Sequence, residues 1–150
     1  MYYIRQKQRY LLDRFDMRST CGSYHMKTIF YAQFEEFKRL KAWGEKWKDI
    51  RVLQFLEGGL WHGIKCQYLD RIYMPINQPN EHWFLDEVRL NEWSIHIMNS
   101  LYTARWKQSR IDCVRPLAKM LPQALDDIRS ELNKWRGFPF AIVYGKQFPL

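Results

Sequence analysis

A chain of 150 residues with 47% hydrophobic and 17% aromatic side chains holds enough apolar material for one packed domain and excludes a disordered chain. Its net charge of +8, from 24 basic and 16 acidic residues, is scattered in short clusters such as RQKQR, which describes a solvated basic face better than a dedicated nucleic-acid surface. No apolar run approaches the roughly 20 residues of a membrane span, and the opening MYYIRQKQRYLLDRF lacks the apolar centre of a signal peptide, so the chain is expected inside a cell.

In chain order, Tyr2 to Phe15 reads as a helix, with Tyr3, Tyr10 and Leu11 at helical spacing. DMRSTCGSYHMK reads as a loop from its Ser, Thr and Gly content. A second helix is expected from Thr28 to about Trp43, capped by Thr28 and ended by Gly44, with Phe30, Phe34, Phe37 and Leu40 on its core stripe. DIRVLQFLEGG fits a short strand or a helical turn equally well, and GGLWHG is a loop. Three strands follow, Tyr68 to Ile76, His82 to Leu90 and Trp93 to Met98, joined by NQPNE and NE into an antiparallel meander. Val114, Leu117, Leu121, Leu125, Ile128, Leu132 and Trp135 then step by three and four residues, and Pro116 and Pro122 are expected to split this region into a lead-in and a main helix starting near Pro122. PFAIVYG, Pro139 to Gly145, reads as a buried strand. The order predicts an α+β fold in which helices flank an antiparallel-dominated sheet.

Geometry singles out two polar residues on the meander. A hairpin centred between Leu90 and Asn91 pairs residues whose numbers sum to 181, which opposes His82 to Asn99. Their Cβ atoms would then lie about 4.5–5.5 Å apart. The Asn amide oxygen could accept one imidazole N–H, fix the tautomer and leave the other ring nitrogen as a base. The three cysteines, Cys21, Cys66 and Cys113, have no CxxC spacing and are expected as reduced thiols, with no zinc site.

LDRIYMPINQPNEHWFLDEVRLNEWSIHIMNSL resembles the centre of the ubiquitin-like-protease (SUMO protease) family of cysteine peptidases, above all its plant and transposon-borne versions. The matching pieces are Pro75-Ile76-Asn77 at a strand end, His82-Trp83, and Asn99-Ser100-Leu101 at the end of the next strand. MYYIRQKQRYL, TIFYAQFEEF and FAIVYGKQFPL extend the likeness over nearly the whole chain. The resemblance implies a papain-like architecture for residues 1–150, incomplete because the family's Gln and Asp-Cys-Gly nucleophile segment has no counterpart here.

By that resemblance His82 is the general base, Asn99 stands where the family has an orienting Asp, and Trp83 walls the tunnel for a modifier's Gly-Gly tail. QSRIDC, ending at Cys113, imitates the nucleophile motif but is followed by Val114 and lies before a helix rather than after the last strand. Asp86 occupies a strand position that the family fills with an apolar residue, where an unpartnered carboxylate must be protonated or very costly. The expected partner is a SUMO-type ubiquitin-like modifier or its conjugates in the nucleus or cytoplasm, with no cofactor, metal or membrane. The expected outcome is a domain without peptidase activity as written. The alternatives are a non-catalytic module that holds such a modifier, or a basic nucleic-acid-associated fragment of a mobile element.

Overall fold

Alternating burial along consecutive strands builds the centre of the protein. A computed structural model describes residues 18–41, 47, 49–59, 64–80, 82–98, 104–128 and 139–145. Its elements are β1 (Ser19–Cys21), α1 (His25–Leu40), α2 (Ile50–Leu56), a 3-10 turn (Cys66–Tyr68), β2 (Arg71–Gln78), β3 (His82–Arg89), β4 (Ser94–Met98), a second 3-10 turn (Ala104–Trp106), α3 (Lys107–Ile128) and β5 (Ala141–Tyr144). The five strands lie in sequence order. The inner ladders, β2–β3 and β3–β4, are antiparallel. β1 joins β2 and β5 joins β4 in parallel. The α+β class and the meander at its centre therefore stand. The expected helix from Tyr2 to Phe15, and the Leu132 and Trp135 positions, lie outside the described residues.

Side chains two apart on a strand share a face. Ile72, Met74, Ile76, Phe84, Val88, Ile95 and Ile97 are all buried on one face of the sheet, and α1 and α3 supply Phe30, Phe37, Val114, Leu121 and Leu125 to the same core. α1 begins at His25, before the expected Thr28, and the Ser23 hydroxyl accepts the His25 N–H. It ends at Leu40 because Lys41 turns left-handed (φ 53°) and its N–H closes on the Phe37 carbonyl. Leu40 is consequently solvent-exposed, against expectation. The expected stop at Gly44 lies outside the described residues. The ambiguous DIRVLQFLEGG is helical: Asp49 caps α2 by accepting the Arg51 N–H at 2.9 Å, and Gly58 leaves it at φ 77°.

Two expectations about register and continuity change. The β3–β4 turn takes four residues, Leu90 to Trp93, instead of two, because Arg89 pairs with Ser94. Asp70 is the cause. Its carbonyl accepts the Leu90 N–H (2.9 Å) and its carboxylate the Asn91 amide (2.6 Å), which draws both residues out of the ladder. Likewise, Pro116 and Pro122 do not split α3, which runs unbroken through both. A proline frees the carbonyl four residues earlier. For Pro122 that carbonyl belongs to Ala118, and it accepts the Phe140 N–H at 3.0 Å, tying the helix to the entry of β5. β5 itself is half-exposed rather than buried, since it is the last strand in the order. β1, read as loop, is a strand of three residues.

Pro122→Ala restores a competing helical donor for the Ala118 carbonyl. Hydrogen exchange at the Phe140 amide is expected to quicken by roughly fivefold, the worth of one hydrogen bond of about 1 kcal/mol; unchanged protection there would contradict this role for Pro122.

Candidate functional site

The end of the sheet where β2 turns into β3 carries the residues of interest. Asn80, at φ 60°, makes the turn, and the ladder sets Gln78 opposite His82 and Asn77 opposite Trp83. His82 is half-buried, whereas Trp83 is 52% exposed. The start of α1 reaches the same place. The Tyr24 ring meets Trp83 edge-on at 5.8 Å and lies 3.8 Å from the His25 ring. Lys27 donates to the Asn77 carbonyl at 2.6 Å. The first turn of α3 closes from the other side. The Gln78 amide donates to the Ser109 hydroxyl at 2.5 Å, and the Arg110 guanidinium lies 5.2 Å from the Phe84 ring centre.

Paired residues of β3 and β4 have numbers summing to 183, as in Leu85 with Met98. The turn is therefore centred between Asn91 and Glu92, one residue later than the sum of 181 that would oppose His82 to Asn99 requires. Asn99 itself lies outside the described residues.

The cysteines divide by burial. Cys21 and Cys66 are 8% and 1% exposed. Cys113 lies inside α3, not at a helix start where the backbone dipole would favour a thiolate. In the QSRIDC stretch the Gln108 amide donates to Asp112 at 2.9 Å within the helix, so neither residue is set up for an oxyanion. Among the described residues, no group of three His, Cys, Asp or Glu side chains is placed to hold a metal.

A second histidine offers a false lead. Ser94 Oγ lies 3.1 Å from His96 Nε2, and Glu92 lies 3.8 Å from that same nitrogen. A triad needs its hydroxyl and its carboxylate on different ring nitrogens. Burial, and then Arg89, lower the His96 pKa, while Glu87 and Glu92 oppose that. The cluster is a structural pin on the far face of the sheet. Glu87 anchors it, accepting from Arg89 Nε at 2.8 Å and from the Tyr73 hydroxyl at 3.2 Å.

On the core face three polar side chains stand out. Asp86 is fully buried between Met74 and Ile97, and neither of its oxygens has a hydrogen-bond partner. Burial pushes its pKa well above the usual carboxylate range, weakly countered by Lys27. Arg110 is buried with Nε and Nη1 unpartnered, and Gln78 is buried with Oε1 unpartnered. Gln78 and Arg110 escaped the sequence reading although signals for both existed. Gln78 has the parity of Ile72, Met74 and Ile76, and Arg110 lies four residues before Val114 on the buried stripe of α3. Tyr24 had no such signal, because it sits in a stretch with neither period.

A model of the Ulp1 protease family, C-terminal catalytic domain, matches residues 24–149. No curated protein matches the chain at a significant level. Among solved structures the chain is similar to the C-terminal Ulp1 protease domain in complex with Smt3, the yeast ortholog of SUMO, at 16% identity and a TM-score of 0.51, covering 98% of this chain and 56% of that one. It is also similar to the SUMO protease Ulp1 with its catalytic cysteine oxidised to a sulfinic acid, at 16% identity and a TM-score of 0.47, with 98% and 56% covered. The chain thus spans about half the length of these structures, and at this identity the likeness is one of fold.

Asp86 makes stability depend on pH. Its folded pKa is raised, so the neutral carboxyl is the form the fold accepts. The stability this gives is complete below the unfolded pKa of about 4 and is lost as pH rises toward the folded value, at up to about 1.4 kcal/mol per pH unit. Urea unfolding of Asp86→Asn across pH 4 to 8 is expected to lack that decline and to leave the variant more stable than the parent at neutral pH. Parallel curves would refute it.

Proposed function

Because the chain belongs to the Ulp1 protease family, we propose that it is a cysteine-peptidase-type domain that engages a SUMO-like ubiquitin-like modifier, with His82 as general base, Asn99 at the sequence position of the family's orienting Asp and Trp83 as the wall against the modifier's Gly-Gly tail. The observation that carries this reading is the pair His82 and Trp83. A half-buried imidazole and an exposed indole occupy consecutive residues at one end of β3, inside the stretch the family model matches.

In such a site the imidazole takes the proton of a thiol, the thiolate attacks the carbonyl carbon after the tail, and the imidazolium returns the proton to the leaving amine. Water then hydrolyses the thioester. The three cysteines of this sequence do not supply that thiol, because Cys21 and Cys66 are buried in the core and Cys113 is in mid-helix. On this reading the chain binds a modifier, and cleavage needs a thiol other than these three. The same observation favours a second reading, a binding module in which His82 has no catalytic part; modifier binding tests both, and cleavage that depends on His82 tells them apart.

Titration with fluorescently labelled SUMO is expected to give saturable binding in the micromolar range, weakened roughly tenfold or more by Trp83→Ala, as for an aromatic anchor. No saturation at several hundred micromolar would end the proposal. Incubation of the same chain with a SUMO–fluorophore amide is expected to release no dye above buffer. Release abolished by His82→Ala would show that one of the three cysteines is the nucleophile after all.

A further inference from the structure

We infer that Gln78 is a positioning residue for His82, its side-chain oxygen being the acceptor that fixes the imidazole tautomer. The inference rests on the reading of His82 as the base, but its test does not depend on modifier binding or on turnover.

Three observations converge. First, register: Gln78 and His82 are directly paired across the β2–β3 ladder, so their side chains leave the same face with Cβ atoms about 4.5–5.5 Å apart. Second, anchoring: the Gln78 amide nitrogen donates to the Ser109 hydroxyl of α3 at 2.5 Å, which ties down one end of the carboxamide and leaves its oxygen for another partner. Third, an unmet need: Gln78 is only 8% exposed, and its Oε1 has no hydrogen-bond partner. A buried acceptor is normally satisfied. The donor paired across the ladder from it is the imidazole. Catalytic hydrogen bonds commonly tighten only when substrate arrives, so a gap in the unliganded protein fits the role.

Chemistry makes the assignment specific. A neutral imidazole has one N–H. If that N–H goes to Gln78, the second nitrogen keeps its lone pair for a substrate-side proton, and no orienter on β4 is required. Nearby charges come from Lys27 on α1, which is bound to the Asn77 carbonyl, and from Arg110 on α3 over the Phe84 ring. Both are cations and neither can accept the ring proton.

The test is long-range 1H–15N NMR of the imidazoles in the full 150-residue chain, with His82 identified among the four histidines by His82→Gln. In the parent, His82 is expected as one dominant neutral tautomer whose ring proton shows a cross-relaxation peak to the Gln78 side chain. A mixture of tautomers, or a ring proton with no such peak, overturns the inference without recourse to any variant. In Gln78→Met, which keeps the volume and removes the acceptor, the tautomers are expected to mix while His25 and His96 keep their signals. A folded Gln78→Met with an unchanged His82 spectrum also overturns it. So does Asn99→Ala, if that substitution alone scrambles the ring.

Discussion

The register of β3 against its two neighbours is the constraint on which the site depends. Side chains alternate with a period of two, so each pairing decides which groups meet across the sheet and which face receives them. Against β2 the register sets His82 beside Gln78, Trp83 beside Asn77 and Asp86 beside Met74. Against β4 it is set by a four-residue turn that Asp70 holds from outside the hairpin, through the Leu90 N–H and the Asn91 amide. Asp70 in turn accepts from Arg18 at 2.6 Å, just before β1.

Consecutive residues show how completely the faces differ. Glu87 looks away from the core and finds Arg89 and the Tyr73 hydroxyl. Asp86 looks into the core and finds Met74 and Ile97. A charged carboxylate in the second setting would carry a desolvation penalty of several kcal/mol with no partner to offset it. The group is therefore held neutral by its surroundings. The contrast also explains why the core tolerates it. A protonated carboxyl has no charge to desolvate, so it can lie between Met74 and Ile97 where a carboxylate would be far costlier.

Much of this fold was legible because its signals are periodic. The stripe of Phe30, Phe34 and Phe37 located α1, and the alternation from Ile72 through Ile97 located three strands with their inward faces. What was not legible depends on contacts distant in sequence. A strand as short as Ser19–Cys21 carries no period, and exists because β2 offers it an edge. The two prolines argue locally for a broken helix, yet α3 stays whole because the carbonyl released by Pro122 has Phe140 to receive it. His82 and Trp83 were readable as a motif, whereas the partners of each were readable only once the ladder was known. A turn centred between Leu90 and Asn91 would have named Asn99, and the ladder places that centre one residue later.

The partners also explain why the two motif residues differ in freedom. Asn77 and Gln78 are consecutive, and each is tied to a different helix. Asn77 is held through its carbonyl by the exposed ammonium of Lys27, a bond open to water and worth little in stability. Gln78, itself buried, is held through its amide by Ser109 in a part-buried bond that water reaches less. Across the ladder these two residues back Trp83 and His82 respectively. On the proposed reading, the wall would thus rest on a contact open to water and the base on one partly shielded from it. Side-chain parity turns Asn77 out to solvent and Gln78 in toward α3.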